Sequence, residues 1–136
     1  MLYLSGKTRL AILAAISILV LVAIAWDVAH QGSPLAVKPQ AVPGGDPRRG
    51  AAMFIQYGCG SCHSLANVRT ATGNVGPPLD GIATRAILAG HLANNPANME
   101  RWIRDPQHVS PGTAMPNLRV SQGDARDMTA FLYTRP

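Results

Sequence analysis

Between positions 57 and 64 the chain reads YGCGSCHS, which places both of its cysteines and one of its four histidines within a few residues of one another. Two thiols and an imidazole so close together are bound to act on the same object. They can form a disulfide switch, half of a zinc site, or the attachment point of a larger group. A zinc site needs a second pair of ligands at suitable spacing, and His91 and His108 lie too far apart to supply one. A thioredoxin-like redox pair needs a strand–helix–strand setting, and none can be read here.

The sequence around the motif narrows the choice. Its globular part runs from Asp46 to Thr134, about 90 residues, which is one small domain. Three helices can be read in it. The first has Asp46 as N-cap and Pro47 at N1, continues through RRGAAMFIQYG and stops at Gly58. The second has Asn95 as N-cap and Pro96 at N1, places Met99, Trp102 and Ile103 on one face, and ends at Pro106. The third starts at Ser121 with Asp124 three residues on, a variant of the capping box, and buries Ala125, Met128, Phe131 and Leu132. No strand is expected. Residues 64–92 and 105–120 are rich in Gly, Pro, Asn and Thr and read as shaped loops. So much loop on so small an apolar core calls for a staple or a cofactor.

Ahead of this domain the stretch LAILAAISILVLVAIAW, Leu10 to Trp26, carries no charge. It is close to the ~20 apolar residues that cross a hydrocarbon core. Lys7 and Arg9 precede it and Asp27 follows, so the positive-inside rule leaves the N-terminus in the cytoplasm and exports the rest. A cleaved signal peptide, with Ala23-Ile24-Ala25 as its processing site, is the alternative and exports the domain equally. The expected organisation is a short cytoplasmic segment at 1–9, a transmembrane signal-anchor helix at 10–28, a Pro/Gly-rich linker at 29–45 and a domain at 46–136. Beyond residue 26 the chain has ten cations against seven anions, a net +3 with no basic run. That excludes a nucleic-acid partner.

His63 decides between the readings of the cysteine pair. C-x-x-C-H is the pattern of c-type haem attachment: two thiols form thioethers with the haem vinyls and the next residue offers imidazole to the iron. An exported domain suits it. A structural disulfide or zinc remains the lesser alternative.

From Asp46 onward the chain resembles the class I cytochromes c. The motif CGSCHS is followed in that family's order by GPPLDGIATR, WIRDPQHVSPGTAMP and a C-terminal amphipathic helix. The stretch GHLANNPANMERWIRDPQHVSPGTAMP is most similar to the cytochrome c domains fused to subunit II of haem-copper oxidases. The fold implied is all-α, with N- and C-terminal helices crossing, a middle helix, and long loops around one covalent haem c.

The resemblance also implies a site. Cys59 and Cys62 would carry the thioethers, and His63 and Met115 would be the axial iron ligands. Of the five methionines, Met115 is the one in a Gly/Pro-bounded loop; Met53, Met99 and Met128 fall on helices at apolar positions. Pro77 matches the residue whose carbonyl accepts from the proximal imidazole. Leu79 and Trp102 would pack at the haem, and Arg85 and Thr113 would lie near its propionates. Gly50, Phe54 and Phe131 resemble the packing set where the terminal helices cross. His91 and His108 are expected to be surface or loop residues, outside the ligand set. The segment from Ser64 to Val75 is about two residues longer than the mitochondrial-type pattern, and the lysine-rich docking ring of that type is missing.

An iron closed by histidine and methionine leaves no position for a small-molecule substrate. The expectation is therefore an electron carrier and not an enzyme, tethered to the bacterial inner membrane with its haem domain in the periplasm. Its acceptor would be a haem-copper oxidase, of which it could be a subunit. Its donor would be a cytochrome bc-type complex or a periplasmic dehydrogenase. Two alternatives stand: the cytochrome subunit of a periplasmic dehydrogenase, and a haem enzyme or gas sensor with a displaceable methionine.

Overall fold

The computed structural model describes residues 6–30 and 41–135. The chain divides into two compact units, residues 1–36 and 37–136. Most of the expected linker, residues 31–40, lies outside the described residues.

In the first unit, α1 spans Gly6–His30, and its portion Gly6–Trp26 is long and apolar enough to cross a membrane. In the second, α2 spans Pro47–Gln56, α3 Pro96–Arg104, α4 Pro106–Val109 and α5 Gln122–Leu132. The caps explain the starts. The Asp46 carboxylate accepts from the main-chain N–H groups of Arg48 and Arg49, Asn95 accepts from Asn98, and Ser121 Oγ accepts from Asp124. Gly58, at φ +71, takes the left-handed position that ends α2.

Helices α2 and α5 pack against each other, with the rings of Phe54 and Phe131 tilted at a centroid distance of 5.8 Å. Asp127, buried on α5, accepts from the main-chain N–H of Asp46 at 2.8 Å and from Nε of Arg49. A buried carboxylate is costly unless so paired, and this one fixes the start of α2 against α5. Met99 and Ile103 of α3 and Ala125, Met128, Phe131 and Leu132 of α5 complete the core.

The structure corrects two expectations. Residues 105–120, read as loop, begin with the short helix α4, capped by the Asp105 side chain. Ile87–Leu88 (β1) and Leu92–Ala93 (β2) form a small antiparallel hairpin, with Ile87 opposite Ala93 and Leu88 opposite Leu92. Two-residue strands are too short to show an alternating pattern, which is why the sequence reads as loop. Beyond the hairpin, Asn94 is buried and fully used. Its Nδ2 donates to the carbonyls of Ile82 and Arg85, both at 2.7 Å, and its Oδ1 accepts from Tyr133 Oη at 2.5 Å. One side chain thus joins the loop after residue 81 to the end of α5.

Candidate functional site

After Gly58 reverses the chain, Cys59–Ser61 form a single 3-10 turn. The Cys59 carbonyl accepts from the N–H groups of Cys62 at 3.3 Å and His63 at 3.0 Å, so the two thiols and the imidazole leave one tight turn. The two cysteines are half-buried and form no disulfide with each other, and burial pushes the Cys59 thiol up to about 11. A thiol–disulfide catalyst needs the opposite, a depressed pKa.

A second loop lies against this turn. Gly76 N–H donates to the Cys62 carbonyl at 2.8 Å, and Gly73 N–H to that of Gly60 at 3.0 Å. Nδ1 of His63 stands 2.8 Å from the Pro77 carbonyl oxygen. A carbonyl only accepts, so Nδ1 carries the proton, and in the neutral ring the lone pair then belongs to Nε2. That is the tautomer a metal-binding histidine needs, oriented by a backbone acceptor. The imidazole is also wedged in place: a Cβ on Gly76 would stand 2.3 Å from His63 Cε1.

Arg85 secures the same loop. Its Nη2 donates to the carbonyls of Pro78 at 2.5 Å and Asp80 at 2.8 Å, and among the described residues Nε and Nη1 make no hydrogen bond. Leu79, half-buried against the core, donates its N–H to the Ser64 carbonyl at 2.9 Å. Asp80 accepts from Ala66 N–H at 2.9 Å.

Met115 belongs to a separate cluster, in the stretch between α4 and α5. Its side chain is half-buried, as are Thr113 and Trp102. Thr113 Oγ1 accepts from Met115 N–H at 3.4 Å, leaving its own hydrogen free to donate. Among the described residues no hydrogen bond joins the Cys59–His63 cluster to the Met115 cluster. His91 and His108 are exposed, the first with Nδ1 at 2.9 Å from its neighbour Ala89's carbonyl.

Several residues that organise the site were not singled out from sequence. Gln107 donates from Nε2 to the carbonyls of Thr113 at 2.8 Å and Met115 at 2.9 Å. Asp105 caps α4 and accepts from Asn117 Nδ2 at 3.1 Å. Their one signal was a place within WIRDPQHVSPGTAMP; side chains that serve as caps and loop ties carry no chemical signature of their own.

The profile of the cytochrome c family matches residues 47–135, well over half of the chain. The chain belongs to the cytochrome c family. It is a class I cytochrome c by the order of its motifs, and that family implies haem c and electron transfer. Among curated proteins it is similar to cytochrome c oxidase subunit 2 of Alkalihalophilus pseudofirmus, 35% identical over 85 residues, which is 62% of this chain and 24% of that protein. It is similar also to subunit 2 from Bacillus sp. strain PS3, 34% identical over 70 residues, 50% of this chain and 19% of the relative. A third, from Bacillus subtilis, is 24% identical over 90 residues, 65% of this chain and 25% of the relative. The chain thus spans about a quarter or less of the length of these relatives.

The residues present fit haem. Two thiols one turn apart, an imidazole oriented through Nδ1 by a backbone carbonyl and a thioether in a tied loop are the donor types that a covalent haem requires.

Proposed function

We propose that this cytochrome is a membrane-anchored carrier of single electrons with one covalent haem, held through Cys59 and Cys62 and ligated by His63 and Met115. The observation that carries the reading is the His63–Pro77 hydrogen bond, which leaves Nε2 ready for iron. Haem bound there supplies one-electron exchange between ferric and ferrous iron. The chain's own part is to orient His63 through Pro77, to pack the ring with Leu79 and Trp102, and to balance the propionates with Arg85 and Thr113.

Helix α1 supports anchoring in a bacterial inner membrane, and Lys7 with Arg9 ahead of it supports a cytoplasmic N-terminus and a periplasmic haem domain. An anchor keeps the haem at high effective concentration near membrane partners. Similarity to oxidase subunit 2 proteins supports a haem-copper terminal oxidase as acceptor or host complex, within a respiratory chain.

The test has two parts. A haemochrome spectrum of the full-length protein should give one haem per chain with both vinyls saturated, and the ferric form should show the far-red band of methionine sulfur on iron, lost in Met115→Ala. Extraction in mild detergent should then bring down an oxidase. A periplasmic dehydrogenase in its place, or ready carbon monoxide binding by the reduced form, would overturn the partner or the carrier reading respectively.

A further inference from the structure

Met115 sits where the main chain gives almost no support. Among the described residues, no backbone–backbone hydrogen bond begins or ends on residues 114–120. A stretch held only at its ends opens easily. Side chains from α4 replace the missing ladder. Nε2 of Gln107 reaches the carbonyls of Thr113 and Met115, at 2.8 and 2.9 Å, on either side of Ala114. Both partners are acceptors, so they fix which atom of the amide is nitrogen and occupy both of its N–H groups. Asp105, the N-cap of the same helix, holds Asn117 two residues beyond the methionine. The short helix α4 therefore grips residues 113, 115 and 117. It is itself fixed, since Pro106 is buried and α3, directly before it, packs on α5.

We propose that Gln107 is a positioning residue for Met115: by tying down the carbonyls of Thr113 and Met115 it keeps the Met115 sulfur on iron and external bases out. The inference rests on the reading of Met115 as an axial ligand. A thioether is a weak donor that competes with any small base for the sixth position. When the sulfur leaves, its loop must move, and the two Gln107 bonds break with it. Their free energy therefore belongs to the equilibrium between held and displaced methionine. Two neutral hydrogen bonds shift such an equilibrium by roughly ten-fold.

Imidazole titrated into the ferric full-length holoprotein, followed by loss of the far-red band, tests this directly. Gln107→Leu keeps the volume and removes the donors, at an exposed site where folding is not at risk. The band should be present in both proteins, with imidazole displacing the sulfur at about ten-fold lower concentration in the variant. Asn117→Ala, which frees the other side of the loop, should shift displacement in the same direction by less. Ser121→Ala weakens the cap of α5 and should lower the unfolding midpoint while leaving imidazole displacement unchanged. Equal imidazole affinity in wild type and Gln107→Leu overturns the proposal. An equal shift in Ser121→Ala also overturns it, because displacement would then follow general stability. A wild-type protein without the far-red band overturns the Met115 reading, and this inference with it.

Discussion

Gly50 approaches Asp127 so closely that a Cβ on Gly50 would stand 2.0 Å from the Asp127 carbonyl oxygen and 2.4 Å from its carbon. Helices α2 and α5 thus cross backbone to backbone, and no rotamer change can make room for a methyl group. Gly50→Ala should cost about 3 kcal/mol, the upper range for overpacking a rigid contact. Chemical denaturation of the haem-loaded protein measures it. A cost below about 0.5 kcal/mol would mean that the two helices slide freely, contrary to a tight crossing.

A second weight rests on Asn94, whose three hydrogen bonds join the loop after residue 81 to Tyr133. Asn94→Ala strands two carbonyls and a phenol in the interior and should destabilise by about 3 kcal/mol. Tyr133→Phe removes a single bond and should cost about 1 kcal/mol. The pH dependence has a definite sign. Burial pushes the Tyr133 phenol up to about 12, from its ordinary value of 10.0. Its folded form thus keeps a proton that the unfolded form releases. The contribution is complete below about pH 10 and is lost as pH rises through about 12. Unfolding titrations between those values should show a falling midpoint that Tyr133→Phe flattens. An equal slope in the variant would assign the loss to other groups.

How much of this was legible beforehand varied with the kind of signal. Helix starts at Asp46, Asn95 and Ser121 were readable because capping is local: a short polar side chain meets N–H groups two or three residues on. The buried face of α5 followed from its spacing. The tight turn from Cys59 to His63 was legible because the C-x-x-C-H spacing holds the three side chains within one turn. What could not be read was long-range or unpatterned. Strands of two residues have no period, and the pairing of Gln107 with the Met115 carbonyl depends on a fold through which α4 returns to its own downstream loop. Arg85 shows the intermediate case: the residue was singled out, while its hold on the Pro78 and Asp80 carbonyls appeared only in three dimensions.

The hairpin tip carries strain that can be relieved. Ala89 has φ +50 and Gly90 φ +82, both left-handed, at the centre of the three-residue tip in which His91 N–H donates to the Leu88 carbonyl at 3.1 Å. Glycine accepts this conformation without cost, whereas a Cβ makes it unfavourable by about 1–2 kcal/mol. Ala89→Gly should therefore stabilise the protein by about 0.5–1 kcal/mol, after subtracting the greater freedom of glycine in the unfolded chain. The thermal midpoint should rise and the visible spectrum stay the same. A lower midpoint would show that the Ala89 methyl makes contacts worth more than its strain.

The last prediction separates ligand placement from stability. A methyl on Gly76 would lie 2.3 Å from Cε1, 2.6 Å from Nδ1 and 2.8 Å from Nε2 of His63, against the ring itself. Gly76→Ala must push the imidazole off its present position and away from the Pro77 carbonyl. An overpacking cost of about 1–3 kcal/mol borne by one ring amounts to roughly five-fold to 150-fold in the equilibrium between placed and displaced His63. The variant should mature with less haem, and its loaded fraction should show a high-spin ferric component and bind carbon monoxide when reduced. Gly90→Ala is the matched control. Nothing lies within 4 Å of a Cβ there, and its φ of +82 makes the substitution a matter of backbone strain. It should lower the unfolding midpoint and leave the spectrum unchanged. Identical spectra for both variants would mean that the Gly76 loop yields to the methyl, and that the wedge behind His63 does not set its position.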